Sequence, residues 1–226
     1  MLFRRRVKSP GADWRSWPGA SDTPTRALVV ADLHVDFTGS GPMAAEGADE
    51  TAVRLADVVR QQQEAWRRQA AGASRVKVVV EGRLWGERAP LPADSPFPAH
   101  CEGPADLDLA AALVVEPESC YVWEFCPACG GDVLSAQAEG KGQLSTLQRS
   151  LEMRPPSRID VAGLSAEHSA FALAEALATR FGPAGTEIVF WPDLSSFLHP
   201  DQAPARLARL EQAGVRIEAG EGIDAR

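Results

Sequence analysis

Four cysteines in 226 residues are too few for a disulfide framework, and their scarcity agrees with a reducing compartment. No apolar run is long enough to cross a bilayer, and none follows the positive cluster in MLFRRRVKSPGADWRSWPG, so a signal peptide is not expected and the cytoplasm is. Positive charge is also in deficit, with 23 Lys and Arg against 31 Asp and Glu and a formal net charge of -8. That balance, without a basic stripe beyond the first eight residues, argues against a nucleic-acid partner. No internal repeat is present. What remains is an acidic chain whose length suits one α/β domain with a sizeable core.

Apolar runs and helical periodicity alternate along most of the chain. Residues 1–25 are rich in Arg, Pro, Gly and Trp without periodicity and read as an N-terminal arm, leaving 26–226 as the domain. Arg26 to Leu33 reads as a buried strand with Asp32 near its carboxyl end, where a charge in an apolar run needs a reason. Asp49 to Gly72 reads as a helix, because Ala52, Leu55, Ala56 and Val59 fall at helical spacing and Gly72 supplies a stop. Arg75 to Glu81 is a second strand. Residues 82–108 carry five prolines and no period, the mark of a long and often functional excursion. A third strand is clearest at Cys120 to Trp123, and a helix is expected near Ser145 to Met153.

The segment RIDVAGLSAEHSAFALAEALATRFG, Arg158 to Gly182, organises the rest: a fourth strand, a turn with a polar start at Ser165-Ala166-Glu167, and an amphipathic helix ended by Gly182-Pro183. Ser169 falls in its first turn, where a side chain projects over the carboxyl edge of a parallel sheet beside backbone N–H groups. An ordinary first-turn serine is the simplest account of it alone. Thr186 to Trp191 is a fifth strand ending at Pro192-Asp193, Asp201 to Ala213 a helix, and Val215 to Glu218 a sixth strand. Such alternation predicts a parallel sheet with helices on both faces.

Three segments taken together, RALVVADLHVDF, PFPAHCEGPADLDL and DVAGLSAEHSAFALAEAL, resemble the isochorismatase-like hydrolase superfamily, which includes isochorismatases, nicotinamidases and other cysteine amidohydrolases. The resemblance spans roughly Arg26 to Glu218. It implies a Rossmann-like, single-domain fold with a six-stranded parallel sheet in the order 3-2-1-4-5-6, which puts Asp32 and Ser169 beside the switch point where ligands bind. It also implies a small-molecule ligand and a homo-oligomer, with the Trp-containing arm as a contact.

The departures bear on chemistry. Family amidases use an Asp, a Lys and a Cys; the matching positions here hold Asp32, Glu124 and Ser169. A serine is a weak nucleophile without an activating base and a positive environment. Two carboxylates near one site repel, so one of Asp32 and Glu124 is expected to stay protonated and serve as a general acid. EGRLWGERAP lacks the family's aspartate-x-histidine pattern, so no catalytic metal or other cofactor is expected. The Cys126-x-x-Cys129 pair has half-knuckle spacing that Cys101, Cys120 and His100 could complete as a zinc site; buried or solvent-near thiols and a relocated catalytic thiol are the alternatives. His34, His100 and His168 are candidate cleft residues, with Phe37, Trp123 and Asp193 as further binding candidates and Trp85, Phe97 and Trp191 as aromatic wall or core. Three functions follow: a hydrolase with altered chemistry using a carboxyl general acid, an inert pseudoenzyme serving as a binding or scaffolding module, and a Ser- or relocated-Cys amidase.

Overall fold

The computed structural model describes residues 26–81, 97–101, 104–115, 120–123, 147, 151–152 and 155–220. Six strands form one parallel sheet: β1 (Arg26–Ala31), β2 (Ser74–Glu81), β3 (Cys120–Trp123), β4 (Arg158–Gly163), β5 (Glu187–Phe190) and β6 (Arg216–Ile217), in the order β3-β2-β1-β4-β5-β6. The central strand β1 pairs with β2 on one side and β4 on the other, setting Ala31 against both Val79 and Gly163. The order reverses between β1 and β4, which makes their carboxyl ends the switch point of the sheet, the place where ligands bind in folds of this kind.

Alternation along the strands divides the core into two layers. Ala27, Val29 and Ala31 of β1 join Ile159, Val161, Ile188 and Phe190 under the helices α2 (Ala170–Phe181) and α3 (Ala203–Gln212). Leu28 and Val30 point the other way, into the layer beneath α1 (Ala48–Arg67) with Leu55, Ala56 and Val59. All these strand side chains are buried, and burying an aliphatic side chain contributes about 1.5–3 kcal/mol. A strand covered on both faces has no polar side to show, which is why its sequence reads as an uninterrupted apolar run.

Several boundaries differ from the sequence reading. α1 stops at Arg67, not at Gly72, because Gln69 takes a left-handed conformation (φ 55) and closes the helix: the Gln69 N–H donates to the Trp66 carbonyl and the Ala70 N–H to that of Ala65. This is a Schellman ending with glutamine where glycine is usual. β1 ends at Ala31, since Asp32 also has positive φ (56) although its N–H still donates to Val79 O (2.8 Å). α2 begins at Ala170, which makes Ser169 its N-cap. Within the expected irregular excursion, the described part contains short 3-10 turns at Pro104–Leu107 and Ala110–Ala112. Leu147, Leu151 and Glu152 are helical, and the two leucines are buried against the α2 layer. The arm at 1–25 lies outside the described residues. No described helix is long and apolar enough to cross a membrane.

Candidate active site at the switch point

The left-handed turn at Asp32 swings its carboxylate off the end of β1 toward β4. The chain leaving β4 is fixed to receive it: the Leu164 N–H donates to Ala31 O (3.2 Å), the Ser165 N–H to Ser196 Oγ (3.0 Å), and the Ser165 hydroxyl to Met43 O. Gly163 permits this approach, because a Cβ there would stand 2.6 Å from Ala31 O and 3.2 Å from Ala170 Cβ. The turn Glu167-His168-Ser169 then divides its labour. Glu167 accepts the Leu198 N–H (3.1 Å) and His199 N–H (2.9 Å) and so anchors a neighbouring loop. His168 and Ser169 face the site.

Ser169 occupies an N-cap yet makes no capping bond; its hydroxyl donates to Asp32 Oδ2 instead. A serine in this position ordinarily satisfies an orphan backbone N–H, worth about 1 kcal/mol. Here that bond is forgone, which separates Ser169 from the ordinary helix-start serine. His168 Nδ1 lies 3.4 Å from the same Asp32 oxygen, and His34 Nε2 lies 3.8 Å from Oδ1. Asp32, His34 and His168 are fully buried, and Ser169 nearly so. Asp32 Oδ1 has no hydrogen-bond partner.

His100 enters from the excursion. Its Nδ1 is 2.6 Å from Pro98 O and its Nε2 is 3.1 Å from His168 Nε2, with the two rings edge to face. Phe37 packs among the three imidazoles, with centroids 4.5 Å from His34, 5.8 Å from His100 and 5.5 Å from His168. Phe97 adds a ring 4.8 Å from His168, so one member of the expected aromatic wall reaches the site, whereas Trp191 is buried in the α1 layer. Cys101 is buried with positive φ (54); its N–H donates to Asp36 Oδ2, and its Sγ is 3.8 Å from His34 Nε2. Left-handed backbone at non-glycine residues costs roughly 1–2 kcal/mol each, and such strain concentrates at functional sites. Asp32, Cys101 and Ser165 all carry it.

Burial alone would raise the Asp32 pKa, but the His168 contact and the electrostatic attraction of His168 and His34 outweigh it and hold the carboxyl well below its ordinary range. Of the expected carboxyl pair, in which one member stays protonated, Asp32 is thus the one favoured in its ionised form. Glu124, the other half of the expected pair, lies outside the described residues, as do Cys126, Cys129 and Trp85. For Cys120 and Trp123 the backbone alone is described, as the two ends of β3.

Asp193 is not brought into the cluster. It accepts the Gly220 N–H (2.5 Å) and stands 3.6 Å from Arg54, half-exposed, tying β5's end to the last segment and α1. The roles of Asp36 and of the Asp106 carbonyl, which lies 2.8 Å from His34 Nδ1, escaped the sequence reading. Only the backbone path brings them in. Among the described residues no group of three or more His, Cys, Asp and Glu side chains could hold a metal ion. His100, the histidine of the PFPAHCEGP segment, has both ring nitrogens engaged, so the described residues do not fit a metal centre.

No protein-family model matches the chain, and no curated protein matches it. Solved structures do. The PnC1 protein of L. infantum in complex with nicotinate aligns over 88% of this chain and 94% of its own, with TM-score 0.61 and 21% identity. The pyrazinamidase of Pyrococcus horikoshii in complex with zinc aligns over 87% and 99%, with TM-score 0.56 and 19% identity. An isochorismatase family protein from Desulfovibrio vulgaris aligns over 87% and 95%, with TM-score 0.58 and 17% identity.

Proposed function

From the isochorismatase-like fold that these likenesses establish, we propose that the chain is a small-molecule hydrolase working at the β1–β4 switch point by acid–base chemistry rather than through a covalent serine intermediate. The observation that carries this reading is the orphaned Oδ1 of an ionised, fully buried Asp32. A buried charged oxygen without a donor costs free energy, on the order of 1–3 kcal/mol or more, which a ligand N–H or O–H would recover. The substrate class is thus a small molecule with such a donor beside its scissile bond, an amide or a hydroxylated vinyl ether. Asp32 holds that donor and stabilises positive charge developing next to it.

Ser169 is a poor nucleophile in this setting. Its proton would have to pass to a carboxylate held well below its ordinary pKa, and the alkoxide formed would lie against a negative or newly neutralised group. In the proposed mechanism Ser169 positions Asp32 and water attacks the substrate. Assay of the purified protein against nicotinamide-type amides and vinyl ethers, with Asp32→Asn in parallel, tests the reading. Turnover that disappears in the variant supports it. Ligand binding without turnover in both proteins overturns it in favour of a binding module.

The contact between Cys101 and His34 favours a second reading, the relocated-thiol amidase. Asp106 O accepts the Nδ1 proton of His34, which fixes the ring with Nε2 turned toward the thiol. Cys101→Ser abolishing turnover, together with a thioester trapped on Cys101, would select this route over direct attack by water.

A further inference from the structure

Three contacts in series link Pro98 O, His100, His168 and Asp32, and counting their hydrogens shows what the site must hold. A carbonyl oxygen only accepts, so the contact at 2.6 Å places a hydrogen on His100 Nδ1. The 3.1 Å contact between His100 Nε2 and His168 Nε2 needs one hydrogen, since two facing lone pairs repel. The 3.4 Å contact between His168 Nδ1 and Asp32 Oδ2 needs another. Three hydrogens are required; two neutral imidazoles supply two, and Asp32, held in its ionised form and accepting from Ser169, supplies none. The third cannot be the Ser169 proton, which already makes that residue's own bond to Oδ2.

We propose that His100 and His168 share one additional proton, forming a resident imidazolium that is the proton donor of this site. The pair then carries +1 beside the -1 of Asp32, and all three side chains are buried, where such a pairing offsets the cost of burying either charge alone. Phe37 from the 3-10 turn after β1 and Phe97 from the excursion place aromatic rings 5.5 and 4.8 Å from His168, tilted and edge to face respectively. Among the described residues the cluster also includes the Ser169 hydroxyl from the start of α2, His34 and the Cys101 thiol, which face one another on the Oδ1 side of Asp32, and the buried Asp36 carboxylate, which accepts the Cys101 N–H. The imidazolium also supplies the positive charge that the resemblance assigned to a lysine and that this chain replaces with Glu124.

The catalytic half of this inference rests on the hydrolase reading. In that reaction the pair gives its proton to the leaving group as the scissile bond breaks, water forms the new bond to the substrate, and the proton released by water returns to the pair. No group other than substrate and water is consumed. The contribution of such a donor is about a hundredfold or more in rate.

The resident proton is tested without any substrate. Nitrogen-15 NMR of the histidine side chains in the full-length protein should show a hydrogen at Nδ1 of both His100 and His168 and a third shared between their Nε2 atoms, all in slow exchange. Two neutral, singly protonated rings would overturn the inference whatever the enzyme does. Where turnover is found, His100→Asn keeps a donor for Pro98 O and removes the Nε2 acceptor. It should lower kcat about a hundredfold with KM little changed. A rise in KM at unchanged kcat would reduce His100 to a binding residue. If the wild-type protein turns over nothing, the hydrolase reading and the donor role fall together, and the NMR result still decides whether the proton is there.

Discussion

At the scale of single residues, the chemistry depends on who shares a proton with Asp32. Ser169→Ala removes one hydrogen bond to a charged acceptor and leaves the imidazoles in place, so activity should stay within about tenfold of wild type. A covalent role would instead cost about a millionfold, as removal of a serine nucleophile does elsewhere. Steady-state kinetics on one substrate separate these outcomes. The residues in the cluster were legible in the sequence because three motifs, each weak alone, occur in a consistent order: Asp32, His34 and Phe37 from the first, His100 and Cys101 from the second, His168 and Ser169 from the third. The protonation state was not legible. It depends on His34 and His168, which stand beside Asp32, and on His100, which stands behind His168, and that convergence is a property of the fold rather than of any one motif.

At the scale of elements, the site exists because β1, β4 and the start of α2 meet without intervening side chains. Gly163→Ala would drive a methyl group into the Ala31 carbonyl, backbone that cannot yield without disturbing the sheet. Its expected cost is about 1–3 kcal/mol by denaturant unfolding, accompanied by loss of activity beyond what the stability change explains. The end of α1 gives the opposite case. Gln69 holds a left-handed conformation that glycine adopts without penalty, so Gln69→Gly should stabilise the protein by up to about 1 kcal/mol with activity unchanged. A destabilised variant in the same unfolding experiment would show that the Gln69 side chain contributes more than its backbone strain costs. Periodicity located the described α-helices and strands but none of the short 3-10 turns, and it cannot see a closing turn made by an unexpected residue. For that reason the reading carried α1 on to Gly72 and started α2 too early, at a polar turn that is committed to anchoring Ser196 and Leu198.

Across the whole molecule, two buried carboxylates sit on the sheet with opposite electrostatic consequences. Asp160 on β4 bonds Arg26 (2.9 Å) and Arg158 (2.7 Å), and Arg158 continues to Glu218 (2.8 Å). Burial raises the Asp160 pKa more than the two guanidinium groups lower it, so its stabilising contribution is complete below the unfolded value near 3.8 and is lost as pH rises through the folded one. Asp32 is depressed, so its contribution is present above that value and is lost as pH falls below about 4. Unfolding free energies measured against pH should therefore show the wild-type advantage over Asp32→Asn shrinking on acidification, and that over Asp160→Asn growing. Parallel curves would contradict both assignments. Fold class was legible at this scale because doubly covered strands and amphipathic helices alternate so regularly. Whether the chain turns over a substrate was not legible, since the residues that depart from the family pattern are the ones that carry its chemistry. The measurement that bears on this most directly is hydrolysis of amide and vinyl-ether substrates by wild type and Asp32→Asn side by side, with folding of both verified. The expected result is turnover by wild type that falls about a thousandfold in the variant; equal rates in the two proteins, or none in either, would contradict it.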